Sequence, residues 1–128
     1  MSELIAWEQL RLDPENPRLP EGLQGAGVEE LLRHYLVNES AEELVGSMME
    51  SGFFTHEPLL VLPVDDDSLV VLEGNRRLAA IMLIHGVAEA QEIGFDSGAS
   101  LEQRERLAAI PCVKVGGREE VRAGAVKT

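Results

Sequence analysis

The stretch Glu73-Gly74-Asn75-Arg76-Arg77 combines residue types and spacing with a clear chemical meaning. It lies between a compact apolar run, Leu69 to Leu72, and a helical pattern, Leu78 to His85. Glycine permits a tight turn from the first into the second, which puts both arginines in the first turn of a helix. A cation is badly placed at that end, where unpaired backbone N–H groups already carry partial positive charge. The same N–H groups attract oxyanions, and a guanidinium fork matches phosphate oxygens. The pair therefore implies a neutralising anion, either Glu73 from within or a phosphate from outside. The competing interpretation is an arginine pair exposed on the helix rim and matched by Glu73 alone.

The elements that must hold this stretch follow from periodicity. Leu4 to Leu12 alternates loosely and reads as one short strand ending near Leu12, before the turn-forming Asp13-Pro14-Glu15-Asn16-Pro17-Arg18. Pro20 to Gly27 has three glycines, no periodicity, and reads as a loop. Val28, Leu31, Leu32, Tyr35 and Leu36 form one helical stripe. Ser40-Ala41-Glu42-Glu43 has the capping-box pattern and opens a second helix through Met48 and Met49 to Gly52. Leu59 to Leu62 and Leu69 to Leu72 are strands joined by an acidic turn. Leu78, Ile81, Met82 and His85 share a face of the third helix, which Gly86 ends. Ser100 caps a helix through Leu107, Pro111 opens a strand over Cys112 to Val115, and Arg118 to Ala125 begins another helix or a tail.

Composition narrows the function classes. At 128 residues the chain is expected to be a single domain, 1–128, with residues 116–128 a tail or a truncated helix. Its net charge of −12 repels phosphate backbones at long range and argues against a free-standing duplex binder, though not against a local basic site. The lone Cys112 rules out an internal disulfide. The start of the chain lacks a cationic leader, and the longest apolar stretch, Leu78 to Ile84, is far short of the roughly 20 residues of a spanning helix. A cytoplasmic protein without a membrane partner is the expectation.

Other candidates carry less. His34 and His85 fall within helices and read as packed histidines, and Cys112 as a buried thiol. Asp65-Asp66-Asp67 reads as a solvated turn. Gly22, Gly25 and Gly27 lack the strand-then-helix setting of a dinucleotide fingerprint. His56, Glu57 and Glu73 form a possible metal set, which would suit a nuclease, but magnesium prefers carboxylates and waters to imidazole.

Leu72-Glu73-Gly74-Asn75-Arg76-Arg77-Leu78-Ala79-Ala80 resembles the Gly-x-Arg-Arg-x-x-Ala box of ParB N-terminal domains, and more closely the Glu-Gly-Asn-Arg-Arg variant of ParB-like domains in the ParB/sulfiredoxin superfamily. Asp13 to Arg18 is similar to the family's Asn-Pro-Arg loop. Leu44 to Gly52 followed by Pro58-Leu59-Leu60-Val61 is similar to its helix–glycine–Pro-Leu-x-Val passage. Together these span Leu4 to Val115 in the family's order. The resemblance implies an α+β fold, a small mixed sheet packed with helices. It implies a nucleoside triphosphate, CTP or ATP, with Mg²⁺, bound through Gly74, Asn75, Arg76 and Arg77, with Arg18 reaching the same pocket. Glu73 would be the catalytic or metal-holding carboxylate, joined by Glu57 at a metal. A sulfiredoxin-type reductase is disfavoured, because Asn75 stands where that enzyme has its cysteine.

The expected function is thus a nucleotide- or phosphate-binding module of a DNA-handling protein, with DNA contacted through a further domain or a local basic site and a homodimer as its assembly. The alternatives are a metal-dependent nuclease, with Glu57 and Glu73 on the metal, and a non-catalytic interaction domain whose arginines meet another subunit's acidic groups.

Overall fold

The computed structural model describes residues 2–53 and 56–122, without the side chain of Arg122. Its strands are β1 (Glu3–Ala6), β2 (Leu10–Arg11), β3 (Leu59–Pro63), β4 (Leu69–Glu73) and β5 (Ala109–Lys114). Its helices are α1 (Val28–Asn38), α2 (Ala41–Ser51), α3 (Asn75–His85), α4 (Ala88–Glu92), α5 (Leu101–Arg106) and α6 (Arg118–Arg122).

The strands form one mixed sheet in the order β1-β5-β3-β4-β2. The expected single strand before Leu12 is therefore two strands on opposite edges, separated by the 3-10 turn Trp7–Gln9. Edge strands of a flat five-stranded sheet would lie about 19 Å apart, whereas the steps from Ala6 to Leu10 reach about 14 Å at most. The sheet must curl until its edges approach, and β1 pairs antiparallel with β5 while β2 pairs parallel with β4. Pro111 lies inside β5 rather than before it. It is tolerated there because pairing with β3 begins only at Cys112.

One face of the sheet carries the main core. Leu59, Val61 and Val71 from the sheet meet Leu78, Ala79, Ala80, Ile81, Leu83 and Ile84 of α3, all without exposed surface. The one-face stripe expected for α3 is thus too narrow, because α1, α2 and β4 all contact this helix. Ala79 and Ala80 keep it slim enough to be enclosed, and each buried Leu or Ile contributes roughly 1.5–3 kcal/mol. The opposite face carries a smaller cluster, Leu60, Leu72 and Val115, on which Val121 of α6 rests.

Several boundaries differ from expectation for local reasons. Glu21–Leu23 is a 3-10 turn within the expected loop, and α4 lies in a stretch with no strong periodicity. Ser40 makes no capping bond; it is held left-handed at φ 53°, whereas a capping serine needs extended backbone. Ser100 does cap α5, in a reciprocal box with Gln103. The helix expected from Arg118 is present as α6, and residues 123–128 lie outside the described ones. No described helix is long and apolar enough to cross a membrane.

Candidate functional site

β4 ends at Glu73 and α3 starts at Asn75, so Gly74 alone makes the turn, at φ 108°. A Cβ here would overlap Leu59 Cδ2 and come within 2.9 Å of Arg77 Nη2, so glycine is required for both backbone and space. No side chain caps α3, and no acidic residue lies in its first turn. That uncapped turn lines a cleft of about 280 Å³, together with Arg18, Tyr35, Glu39, Glu57 and Glu73.

Asn75 is 4% exposed. Its Oδ1 accepts the Asp13 N–H at 2.9 Å, and its Nδ2 donates to the Val71 carbonyl at 2.9 Å. Its side chain thus builds the site, tying the Asp13 loop to the end of β4, and only its backbone is available to a guest.

Arg76 shows how a cation is accommodated at a positive helix end. Its Nε donates to the Glu39 carbonyl and its Nη2 to the Ser40 carbonyl, 3.1 Å away. The Glu39 carbonyl lies at the C-terminal end of α1, which carries partial negative charge, and the Ser40 carbonyl lies where the chain turns into α2. One guanidinium therefore sits at the start of α3 and the end of α1 together, and it secures the corner in which Ser40 is left-handed. Arg77 donates through Nη1 to the Glu57 carbonyl and lies 5.6 Å from the Phe53 ring centroid. Burial pushes its pKa down from the usual arginine value, while the carboxylates of Glu57 and Glu73 oppose that shift.

Arg18 is the exposed cation of the site. Its side chain is 77% exposed, with Nη1 3.5 Å from Glu73 Oε1 at the cleft wall. The Asn16 side chain positions it: Oδ1 accepts the Arg18 N–H at 3.0 Å, and Nδ2 donates to the Tyr35 hydroxyl at 3.3 Å. Burial raises the Tyr35 pKa, against the opposing effect of that Asn16 bond. The structure thus brings Arg18, Glu57, Glu73, Gly74, Asn75, Arg76 and Arg77 to one cleft.

Glu57 and Glu73 are the two carboxylates of the expected metal set that line it, and His56 does not. Among the described residues no three His, Cys, Asp or Glu groups converge as a metal cluster. Glu57 and Glu73 are oxygen donors of the kind magnesium takes alongside waters and phosphate oxygens.

Sequence reading missed the group that braces the loop. Asp13, 1% exposed, receives both Arg118 guanidinium nitrogens, Nη1 on Oδ2 at 2.7 Å and Nη2 on Oδ1 at 2.9 Å. The partners are 105 residues apart, and nothing in the local pattern of either links them. Elsewhere, His34 Nε2 lies 2.7 Å from Glu39 Oε2, and the His85 ring stacks on Trp7 at 4.2 Å. Cys112 is enclosed, and burial pushes its thiol up to about 12, so it is no nucleophile at neutral pH.

The sequence matches no protein-family model and no curated protein. Solved structures similar in fold include the following two. One is the C-terminally truncated chromosome-partitioning protein ParB from Caulobacter crescentus complexed with CTP-gamma-S, at 20% identity and TM-score 0.50, covering 100% of this chain and 55% of that one. The other is sulfiredoxin from Arabidopsis thaliana, at 18% identity and TM-score 0.44, covering 99% of each chain. The chain thus spans about half the length of the ParB chain it matches. The α+β fold is like that of the ParB structure, in line with the fold that the arginine box implied.

Proposed function

We propose that this chain is a nucleoside-triphosphate-binding module, with the phosphates seated at the start of α3. The observation that carries the reading is the uncapped first turn of an 11-residue helix opening onto a cleft that three arginines line. The backbone N–H groups of that turn receive phosphate oxygens. Arg77 and Arg76 keep further N–H groups beyond those given to the Glu57, Glu39 and Ser40 carbonyls. Arg18 swings from Glu73 onto the guest, since a 3.5 Å exposed ion pair holds it only weakly.

Charge balance favours a metal-bound guest. Arg18, Arg76 and Arg77 face Glu39, Glu57 and Glu73, so the cleft has no formal surplus of positive charge. A bare triphosphate is repelled by those carboxylates, whereas Glu57 and Glu73 suit its magnesium complex. CTP is the first nucleotide to examine, because the ParB neighbour was crystallised with CTP-gamma-S. That neighbour is a chromosome-partitioning protein, which supports a place for this module within a DNA-handling protein.

Calorimetric titration of CTP, ATP and GTP, each with and without Mg²⁺, tests the reading. Saturable, magnesium-dependent binding of one of them is expected. No heat of binding for any of them at millimolar concentration, with folded protein, would overturn it.

A second reading, a metal-dependent nuclease, draws support from Glu57 and Glu73 lining the same cleft. Plasmid and single-stranded DNA incubated with Mg²⁺ or Mn²⁺ test it. Cutting that persists in Glu73→Ala would remove Glu73 from the chemistry.

A further inference from the structure

We infer that α6 is a strap: through the Asp13–Arg118 ion pair it holds the loop 13–18 against the start of α3, and its position is coupled to occupancy of the cleft. The coupling rests on the phosphate-binding reading; the strap itself does not.

The bonds run in an unbroken series. Arg118 grips both oxygens of the buried Asp13 carboxylate at 2.7 and 2.9 Å. Asp13 Oδ1 also accepts the Glu15 N–H at 2.9 Å, and the Asp13 carbonyl accepts the Asn16 N–H at 3.3 Å. Asn16 Oδ1 in turn holds the Arg18 N–H at 3.0 Å. On the other side the Asp13 N–H meets Asn75 at the first position of α3. One residue thus ties three elements: the Asp13 carboxylate holds α6 and the loop that presents Arg18, and the Asp13 backbone N–H holds the turn that would receive phosphate.

Space confirms the adjacency. A second cavity, of about 230 Å³, lies between that loop and α6, with Arg118 and Val121 on its α6 side. Arg18 and Glu73 line both cavities, so the pair stands between strap and cleft.

Energetics decide which part yields. A five-residue helix has no stability of its own, and α6 rests on the sheet through Val121 against Leu60, Leu72 and Val115. The bidentate pair therefore fixes its position. Without Arg118, Asp13 is a buried carboxylate lacking its counter-charge, and the loop must open to hydrate it. Coupling is reciprocal: a guest that needs the loop closed holds α6 down, and a force lifting α6 weakens the guest.

Hydrogen exchange on the full chain tests this in two arms. Without ligand, Arg118→Ala should speed exchange of the Glu15, Asn16 and Arg18 amides by about tenfold or more, and leave the α3 interior unchanged. Asp13→Asn, which removes the buried charge itself, guards against an unfolded first variant and should also loosen these amides. The double variant should be no looser than the sum of the two. With Mg²⁺ and CTP, wild-type residues 118–122 should gain protection, and Arg118→Ala should bind CTP about tenfold or more weakly. Unchanged loop exchange in both folded single variants would overturn the strap. Unaltered CTP affinity in Arg118→Ala would overturn the coupling. A wild-type protein that binds no nucleotide would instead overturn the phosphate reading and with it the coupling, and the ligand-free arm would still decide the strap.

Discussion

The backbone N–H of Asp13 donates to Oδ1 of Asn75 at 2.9 Å, joining segments 62 residues apart at the base of the cleft. Asn75 completes the junction by donating to the Val71 carbonyl. Asn75→Ala would leave a buried donor and a buried acceptor without partners, a cost of about 2–4 kcal/mol. Urea unfolding should show that loss, and weaker nucleotide binding should accompany it. Full stability with binding lost would mean that the side chain contacts the ligand instead.

Two glycines with left-handed backbone separate conformational strain from steric overlap. Gly52 has φ 83° and ψ −172°, a region almost confined to glycine, and nothing near its missing Cβ, so Gly52→Ala should cost about 1–3 kcal/mol from backbone strain alone. Gly74 has φ 108° and Leu59 in the way, so Gly74→Ala should cost about 3 kcal/mol or more. Equal costs in denaturant unfolding would show that the Leu59 contact relaxes freely.

The three arginines should divide by role. Arg18 is exposed and loosely paired, so Arg18→Ala should change stability by less than about 0.5 kcal/mol and still reduce phosphate affinity. Arg76 bonds two carbonyls at the α1–α2 corner, so Arg76→Ala should cost about 1.5–3 kcal/mol. Arg77, half-buried and bonded to Glu57, should fall between them. Thermal melts beside calorimetric titration distinguish the cases, and Arg18 is the substitution that isolates binding from folding.

His85 should make the fold acid-sensitive. Burial lowers its pKa from 6.5, against the raising effects of its bond to the Leu107 carbonyl and of Glu8, while Arg104 adds to the lowering. The unfolded chain then takes up a proton first as pH falls below about 6.5. Stability is fully present above that value and declines as pH drops toward and through the lowered folded value. His85→Gln, which keeps an N–H donor for Leu107, should flatten the fall of the melting temperature as pH drops below about 6.5. An identical slope in both proteins would assign the sensitivity elsewhere.

Cys112 should be silent in the native state. Its thiol is enclosed, and burial with Glu3 nearby pushes it up to about 12, although Arg77 acts the other way. Disulfide-exchange reagents at pH 8 should label it only at the rate of unfolding. Fast labelling of folded protein would show that β5 opens locally.

The elements that present the arginine box are legible in the sequence because their signals are local. An apolar run, one glycine and a helical period set β4, the turn and α3 within a few residues. Ser100 and Gln103 announce α5 in the same way. Ser40 and Glu43 carry the same kind of pattern and mislead, because Ser40 is left-handed at the corner where Arg76 bonds its carbonyl, and a left-handed serine makes no capping bond here. The division of Leu4 to Leu12 between two sheet edges was equally hidden, since it follows from the curl of a sheet whose other strands lie far along the chain.

Residue types and order by themselves determined that two guanidiniums would stand at a helix start, and pointed to an anion, Glu73 or a phosphate, to answer them. Only the tertiary structure brought in backbone carbonyls: Arg76 went to the end of α1, Arg77 to the Glu57 carbonyl, and Arg18 was left exposed at the cleft. It also decided that Asp13 and Arg118 should meet. The physical reason is that charge and hydrogen-bond demand are fixed by the side chain, whereas the partner that meets them is fixed by which distant backbone folding brings within about 3 Å.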